Sequence, residues 1–290
     1  MTINKGISSM VCLIDKNKAI HQPHRIYFIL CLMIGILFLN NFSLDAQIIK
    51  KNIPDKLVVL TFDDGPASHY SVVAPLLKKY GHTATFFVCE FPPNYADSSL
   101  YMNWRQIHQL HLMGFEIANH TKDHIPAGKV EKEKLIEQVS YIEDQCDAYN
   151  IPPPSTFAYP GYNLSLAAIK TLEDKSYYLA RAGGSRAYDA LTDHPMIIPS
   201  WATNNENKEE IMEALQQAKD GKIVILTLHG VPDIEHPWVD TNVNLFEYYL
   251  KYLKDHNYTT IRFKDLEQYI DVQKAGEEIN IDLSKKYKND

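Results

Sequence analysis

Cysteine is scarce in this chain: there are four among 290 residues, namely Cys12, Cys31, Cys89 and Cys146. Two of them precede residue 47, so a single pair is left, too few for a disulfide scaffold. Cys89 and Cys146 both sit in apolar-patterned segments and are expected as buried free thiols, with one bridge in an oxidising compartment as the alternative. Positive charge is in deficit as well. Lys and Arg number 29 against 36 Asp and Glu, a net −7, so no basic surplus exists to neutralise phosphates, and nucleic acid is not an expected partner. Low-complexity tracts and repeats of roughly 20–50 residues are missing, which argues against a solenoid. The composition that remains, 45% hydrophobic and 22% charged, is that of an ordinary globular chain. One domain of roughly 200–250 residues, or two small ones, fits this length.

The first 46 residues differ from the rest. Ile26 to Leu39 is an apolar run broken only by Gly35, 14 residues long, and Lys16, Lys18 and Arg25 precede it. The run falls short of the ~20 apolar residues of a membrane span. A basic start, a short apolar stretch and a small residue, Ala46, at the exit read as a secretory signal. An uncleaved N-terminal anchor is the alternative. Either way the chain is expected to be exported, to a periplasmic or extracellular site. Its only expected contact with a membrane is this segment.

From Lys56 onward, strand-like and helix-like segments alternate. Lys56–Phe62, Thr83–Cys89, Glu116–Ala118, Thr156–Tyr159, Tyr177–Ala182, Met196–Ile198, Lys222–Leu228 and Thr259–Phe263 read as strands. Tyr70–Tyr80, Asn103–Met113, Glu131–Tyr149, Ser165–Lys175, Lys208–Ala218, Val243–His256 and Lys264–Val272 read as helices. Ala275–Asp290 reads as a polar C-terminal tail. This alternation implies βαβ units and a parallel sheet. Near-continuous apolar strands imply that both sheet faces are covered. Seven or eight units suit a (β/α) barrel, with a doubly wound sheet as the second choice. Asp63-Asp64, His120, Tyr159-Pro160 and His229 all fall at C-terminal strand ends, where parallel α/β folds build their sites.

Those residues have a chemistry in common. Asp63 and Asp64 are adjacent at a strand end, where side chains diverge, so one carboxylate can bind a metal while the other faces substrate. Taken alone, they also fit two solvated loop acids. His120 and His124 are four apart, a spacing that on a helical turn puts both imidazoles on one side. Two His and a carboxylate make a catalytic Zn²⁺- or Fe²⁺-type ligand set. Asp123 is either an orienting partner for a ligand His or a solvated acid. His229, after an apolar strand and beside the other strand ends, reads as a general acid.

The order T-F-D-D-G (Thr61–Gly65), H-T-x-x-H (His120–His124), F-A-Y-P-G (Phe157–Gly161) and L-T-L-H (Leu226–His229) resembles the polysaccharide deacetylase family, the NodB-homology carbohydrate esterases. The likeness runs from about Lys56 to Phe263. It implies a distorted (β/α) barrel over residues 47–274 and one divalent metal per chain, Zn²⁺ first, with Co²⁺ or another transition metal as alternatives. It implies Asp64, His120 and His124 as metal ligands and Asp63 as the base that activates the attacking water. His229 would protonate the leaving amine, and the Gly161 backbone N–H would meet the oxyanion. Candidate substrate contacts are Tyr159, Pro160, Tyr162, Trp201, Trp238 and His236. The third motif departs from the family: Ala158 stands where Arg is expected and Gly161 where Tyr is expected. Arg181 and Arg186 are the candidates to tether the base instead.

The expected activity is hydrolysis of acetyl groups from an N-acetylated glycan, such as chitin or peptidoglycan, with release of acetate. An O-acetyl esterase acting on xylan is the close variant. Hydrolysis of a small cyclic amide is a more distant one, and a catalytically silent glycan-binding domain is the rival from another class.

Overall fold

The computed structural model describes residues 48–286; the proposed signal or anchor lies outside them. Nine strands form one sheet with the order β5-β4-β3-β2-β1-β8-β6, with β7 on β8 and β9 on β1. They are β1 (Leu57–Asp63), β2 (Thr85–Val88), β3 (Glu116–Asn119), β4 (Thr156–Ala158), β5 (Leu179–Arg181), β6 (Tyr188–Asp189), β7 (Trp201–Ala202), β8 (Lys222–Leu228) and β9 (Thr259–Ile261). All pairings are parallel except β6 with β8.

The sheet curls round on itself. Ile198 bridges Arg181 of β5, its amide donating to Ala180 O at 2.9 Å. Three residues later Trp201 pairs with Leu226 of β8. The stretch 195–203 therefore joins the two ends of the sheet into a distorted barrel. Met196–Ile198, expected as a strand, supplies only a bridge at this closure. β9 fills the first half of the β1 edge, and the second half of that edge pairs with β2.

Packed around the strands are α1 (Ala74–Tyr80), α2 (Trp104–Leu112), α3 (Lys132–Ala148), α4 (Leu166–Asp174), α5 (Lys208–Leu215), α6 (Val243–Asp255) and α7 (Val272–Glu278). Several starts follow directly from local chemistry. The Asn103, Ser165 and Asn242 side chains accept from backbone N–H groups in the first turns of α2, α4 and α6, the N-cap bond that satisfies an otherwise orphaned donor. Two expectations are corrected. Phe263–Gln268 is a 3-10 helix rather than a full α-helix from Lys264 to Val272. The first four residues of the tail expected over Ala275–Asp290 belong instead to α7, which Asp271 caps and which buries Ala275. No helix among the described residues is long and apolar enough to cross a membrane.

Alternation along the strands builds two apolar layers. Val58, Leu60 and Phe62 of β1 pack in one cluster with Phe86 of β2 and with Phe246 and Leu250 of α6. Leu57 and Val59 pack in another, with Phe87, Ala118, Ala158, Leu179 and Ile225. Burial on both faces is why the strands read as continuous apolar runs. It also aims the next inward-facing residues, Asp63 on β1 and Arg181 on β5, at each other.

Candidate active site

The C-terminal strand ends converge on a cavity of about 250 Å³ lined by Asp63, Asp64, Phe91, His120, His124, Tyr159, Gly161, Tyr162, Ala202, His229, His236, Trp238 and Val239. Asp63 ends β1 on its inward face. Asp64 then takes a left-handed conformation, φ 70°, and this turn sends the two carboxylates apart. The Asp64 carboxylate lies 3.4 Å from Nε2 of both His120 and His124, and 3.9 Å from His229 Nε2. Behind it, the buried Cys89 thiol donates to the Asp64 carbonyl at 3.5 Å, and burial pushes that thiol well up in pKa. Cys89 and Cys146 are both free.

His120 and His124 do not sit on a helix. They occupy a turn in which Thr121 (φ 62°) and His124 (φ 52°) are left-handed. Asn119 Oδ1 accepts from the Thr121 amide at 2.9 Å, and Thr121 Oγ1 from the Ile125 amide at 3.1 Å, the side-chain chemistry that builds turns in place of helix. The imidazole rings still meet, 4.9 Å apart between centroids. Left-handed non-glycine residues cost of order 1–3 kcal/mol each and gather where function constrains the chain.

The donor set fits a divalent metal. Ligand atoms of Asp64, His120 and His124 all lie within 4.8 Å of one another, and two imidazoles with one carboxylate suit Zn²⁺, Co²⁺ or Fe²⁺. His120 Nδ1 bonds to the Ala158 carbonyl at 2.8 Å. That carbonyl can only accept, so the proton sits on Nδ1 and Nε2 keeps its lone pair toward the site. Burial, then His120, holds His124 down to a pKa of about 4, so it is neutral at physiological pH. Burial alone would raise Asp64, but His120, His229 and His124 outweigh it and hold the carboxyl well below the usual range.

Asp63 is tethered differently. Its Oδ2 accepts from Arg181 Nη2, while Oδ1 is buried with no hydrogen-bond partner among the described residues. Arg181 is fully buried. It also donates to Thr227 Oγ1 at 2.7 Å and Ser200 Oγ at 3.3 Å, and its guanidinium lies 5.3 Å from the centre of the Phe87 ring and 5.7 Å from that of Tyr162. Arg181 is thus the cation beside the candidate base. Arg186 pairs with Asp193 instead, at 2.6 Å. Ala158, where the resemblance expects Arg, is the register partner of Arg181 on the next strand.

Other candidates separate. Gly161 (φ 56°) and Tyr162 (φ 53°) form a left-handed turn on the cavity wall. Tyr159 lines the cavity, yet its hydroxyl is spent on the Met196 carbonyl at 3.1 Å and its ring packs edge-on against Phe157. Pro160 is buried at the start of a 3-10 turn. Trp201 is corrected to a core residue: it packs with Val58 and Leu226, and the next residue along the strand, Ala202, faces the cavity. Asp123 orients no ligand His. It pairs reciprocally with Gln138, its amide donating to Oε1 and its Oδ2 accepting from Nε2.

The sequence reading missed His69. It is fully buried between Phe62 and Phe86, and its Nε2 bonds to the His229 carbonyl at 3.0 Å, so it pins the backbone of the candidate acid. Its Nδ1 has no partner among the described residues. Burial, above all, lowers it to about 4 from 6.5. The unfolded chain therefore takes up a proton that the fold refuses between these values. His69 should then remove about 3 kcal/mol of stability as pH falls from 6.5 to 4. His69→Gln keeps an N–H for the carbonyl but does not titrate. Denaturant midpoints with chelator present should fall less from pH 7 to pH 4 in that variant; an unchanged pH dependence removes His69 from this role.

The residues 50–180 match the family model described as polysaccharide deacetylase. A peptidoglycan-N-acetylglucosamine deacetylase of Bacillus cereus is 31% identical over 174 residues, covering 59% of this chain and 72% of that protein. The chain belongs to the polysaccharide deacetylase family. A bifunctional xylanase/deacetylase of Pseudobutyrivibrio xylanivorans is 26% identical over 171 residues, which is 59% of this family member but 25% of that protein. Among solved structures, the chitin deacetylase of Colletotrichum lindemuthianum superposes with a TM-score of 0.55 at 18% identity, covering 78% of this chain and 94% of its own. That likeness supports the barrel fold expected from the sequence. Family membership places the chain among hydrolases that act on acetylated carbohydrate.

Proposed function

We propose that this family member is an exported, metal-dependent carbohydrate N-deacetylase that releases acetate from an N-acetylated glycan. The observation that carries the reading is the pairing, in one cavity, of an Arg181-tethered Asp63 having one bare oxygen with the Asp64–His120–His124 donor set. Asp64, His120 and His124 would hold the metal, Zn²⁺ first, which when bound acidifies water and polarises a carbonyl oxygen. Asp63 Oδ1 takes the proton of the attacking water, with Oδ2 fixed by Arg181. The Gly161 N–H, in its left-handed turn, donates to the developing oxyanion. His229, pinned at its carbonyl by His69, delivers a proton to the leaving nitrogen, because an amine leaves far more readily than an amide anion. Export rests on the apolar run Ile26–Leu39 behind its basic flank.

O-deacetylation of xylan is the second reading, favoured by the named activity of the Pseudobutyrivibrio relative. A silent glycan-binding domain has no use for a base, an acid and a ligand triad together. The test is acetate release by residues 47–290 from N-acetylglucosamine oligomers, peptidoglycan and acetylated xylan, each with and without chelator. Chelator-sensitive release from one of the first two is expected. Release from xylan alone moves the reading to an esterase, and no release from any of the three overturns the hydrolase.

A further inference from the structure

The turn that carries His120 and His124 is tied at two points to neighbouring positions of α3. Asn119, fully buried, holds the Thr121 amide, and its Nδ2 donates to the Val139 carbonyl at 2.9 Å and to the Tyr177 hydroxyl at 2.6 Å. Four residues on, the Asp123 amide donates to Gln138 Oε1 at 2.8 Å, and Asp123 Oδ2 accepts from Gln138 Nε2 at 2.6 Å. The first anchor is itself held: the Tyr177 hydroxyl donates to Glu143 Oε1 at 2.9 Å, and Lys175 donates to Glu143 Oε2 and Ser140 Oγ at 2.6 and 2.9 Å. Each candidate ligand histidine directly follows an anchored residue, His120 after Asn119 and His124 after Asp123. None of Asn119, Asp123 and Gln138 lines the cavity.

Gln138 is a polar residue in an apolar stripe. It is fully buried, and α3 buries Leu135, Val139, Ile142 and Cys146 on the same face. A buried amide costs stability unless its hydrogen bonds are made. Here both ends of the amide are used, and both on Asp123. The next residue, His124, is the ligand that needs such support. The His120 ring is fixed through Nδ1 by the Ala158 carbonyl. The His124 ring meets Asp64 through Nε2 at 3.4 Å and the rings of His120 and Phe91, and no hydrogen bond from another described residue holds its Nδ1. Its backbone is also left-handed, φ 52°, a conformation that persists in a residue other than glycine only where the surroundings impose it.

We propose that Gln138 is a positioning residue for the metal-ligand set: by gripping Asp123 at both its amide and its carboxylate, it sets the backbone from which His124 reaches toward Asp64. The effect passes through the main chain, since the Asp123 carboxylate pairs with Gln138 rather than with either ring. The inference rests on the metal reading above and deepens it, by naming the residue outside the cavity that keeps His124 in place. Tight binding needs the donors in position before the ion arrives, and loss of a partner that orients a ligand typically lowers metal affinity about 10–100-fold.

The test is calorimetry of Zn²⁺ binding to chelator-stripped protein: wild type, Gln138→Met, Gln138→Glu, and the exchanged pair Asp123→Asn with Gln138→Glu. Gln138→Met suits the apolar stripe but cannot hold Asp123, and should weaken Zn²⁺ binding about 10–100-fold. Gln138→Glu sets two carboxylates against each other and should weaken it at least as much. In the exchanged pair the new amide donates to the new carboxylate, so both bonds to residue 123 are remade with the side-chain roles reversed. Zn²⁺ affinity should then return to within about threefold of wild type, the coupling expected of two residues in direct contact. Urea midpoints of the same stripped proteins separate this from packing. A lower midpoint for Gln138→Met with an unchanged Zn²⁺ dissociation constant makes Gln138 a packing residue and overturns the inference. It is overturned as well if the exchanged pair binds no better than Gln138→Met. Wild-type protein that takes up no Zn²⁺ overturns the metal reading and this inference together. The expected series of Zn²⁺ constants without acetate release from any glycan upholds the positioning role and overturns the hydrolase.

Discussion

Replacing Arg181 by methionine is expected to cost about 3–5 kcal/mol of stability and to lower kcat by about 10²–10⁴-fold. The stability loss follows from leaving the Asp63 carboxylate buried without the cation that now faces it; breaking one side of a buried ion pair costs this much even where the intact pair adds little. The rate loss follows from the base: Asp63 Oδ2 would no longer be fixed, and a positioned base contributes about 10²–10⁴-fold. Arg181→Lys should recover part of the stability and less of the rate, because an ammonium cannot hold Asp63, Thr227 and Ser200 together as the guanidinium fork does. Ala158 is the register partner of Arg181 and packs in the same inward cluster as Leu179. Ala158→Arg placed in the Arg181→Met chain should therefore restore activity at least tenfold, about 1.4 kcal/mol of barrier. Urea unfolding and steady-state kinetics on the four proteins check this. Wild-type kcat in Arg181→Met would show that Asp63 needs no tether.

The second large effect separates the two adjacent aspartates. Asp63→Asn is expected to retain bound metal and lose turnover by about 10²–10⁴-fold, because the amide cannot accept the water proton. Asp64→Ala and His120→Ala are expected to lose metal and activity together, since each removes one of three donors. Elemental analysis of the purified variants alongside acetate release distinguishes them. The geometry supports the division: Asp64 faces three imidazoles at 3.4, 3.4 and 3.9 Å, while Asp63 faces Arg181 and a single imidazole, His120, at 3.9 Å. Metal lost equally from Asp63→Asn and Asp64→Ala would reverse the assignment of one of them.

Much of the barrel was legible because a parallel sheet covered on both faces must be written as apolar runs, and each run is short and bounded. β1 and β8 are such runs, and both fall within a residue of where the pattern put them. Helix starts at Asn103 and Ser165 were legible because an N-cap is a local bond between near neighbours in sequence. The pairs Asp63-Asp64 and His120/His124 were legible because both lie at strand ends that a parallel fold gathers on one rim. The closure at Ile198 was not, since a single bridge leaves no periodicity to read. Nor was the left-handed turn under the two histidines, whose spacing also matches a helix.

By itself, then, the sequence determined the class of fold, the rim on which the candidate site would lie and the residue types of the candidate ligand set, because these follow from local pattern and strand polarity. Tertiary structure alone decided which arginine meets Asp63, that His69 braces His229, and that Trp201 belongs to the core. Each of these joins groups far apart in the chain, 118 residues for Arg181 with Asp63 and 160 for the His69 ring with the His229 carbonyl. Contacts of that kind depend on strand register and barrel closure, which no stretch of sequence specifies alone.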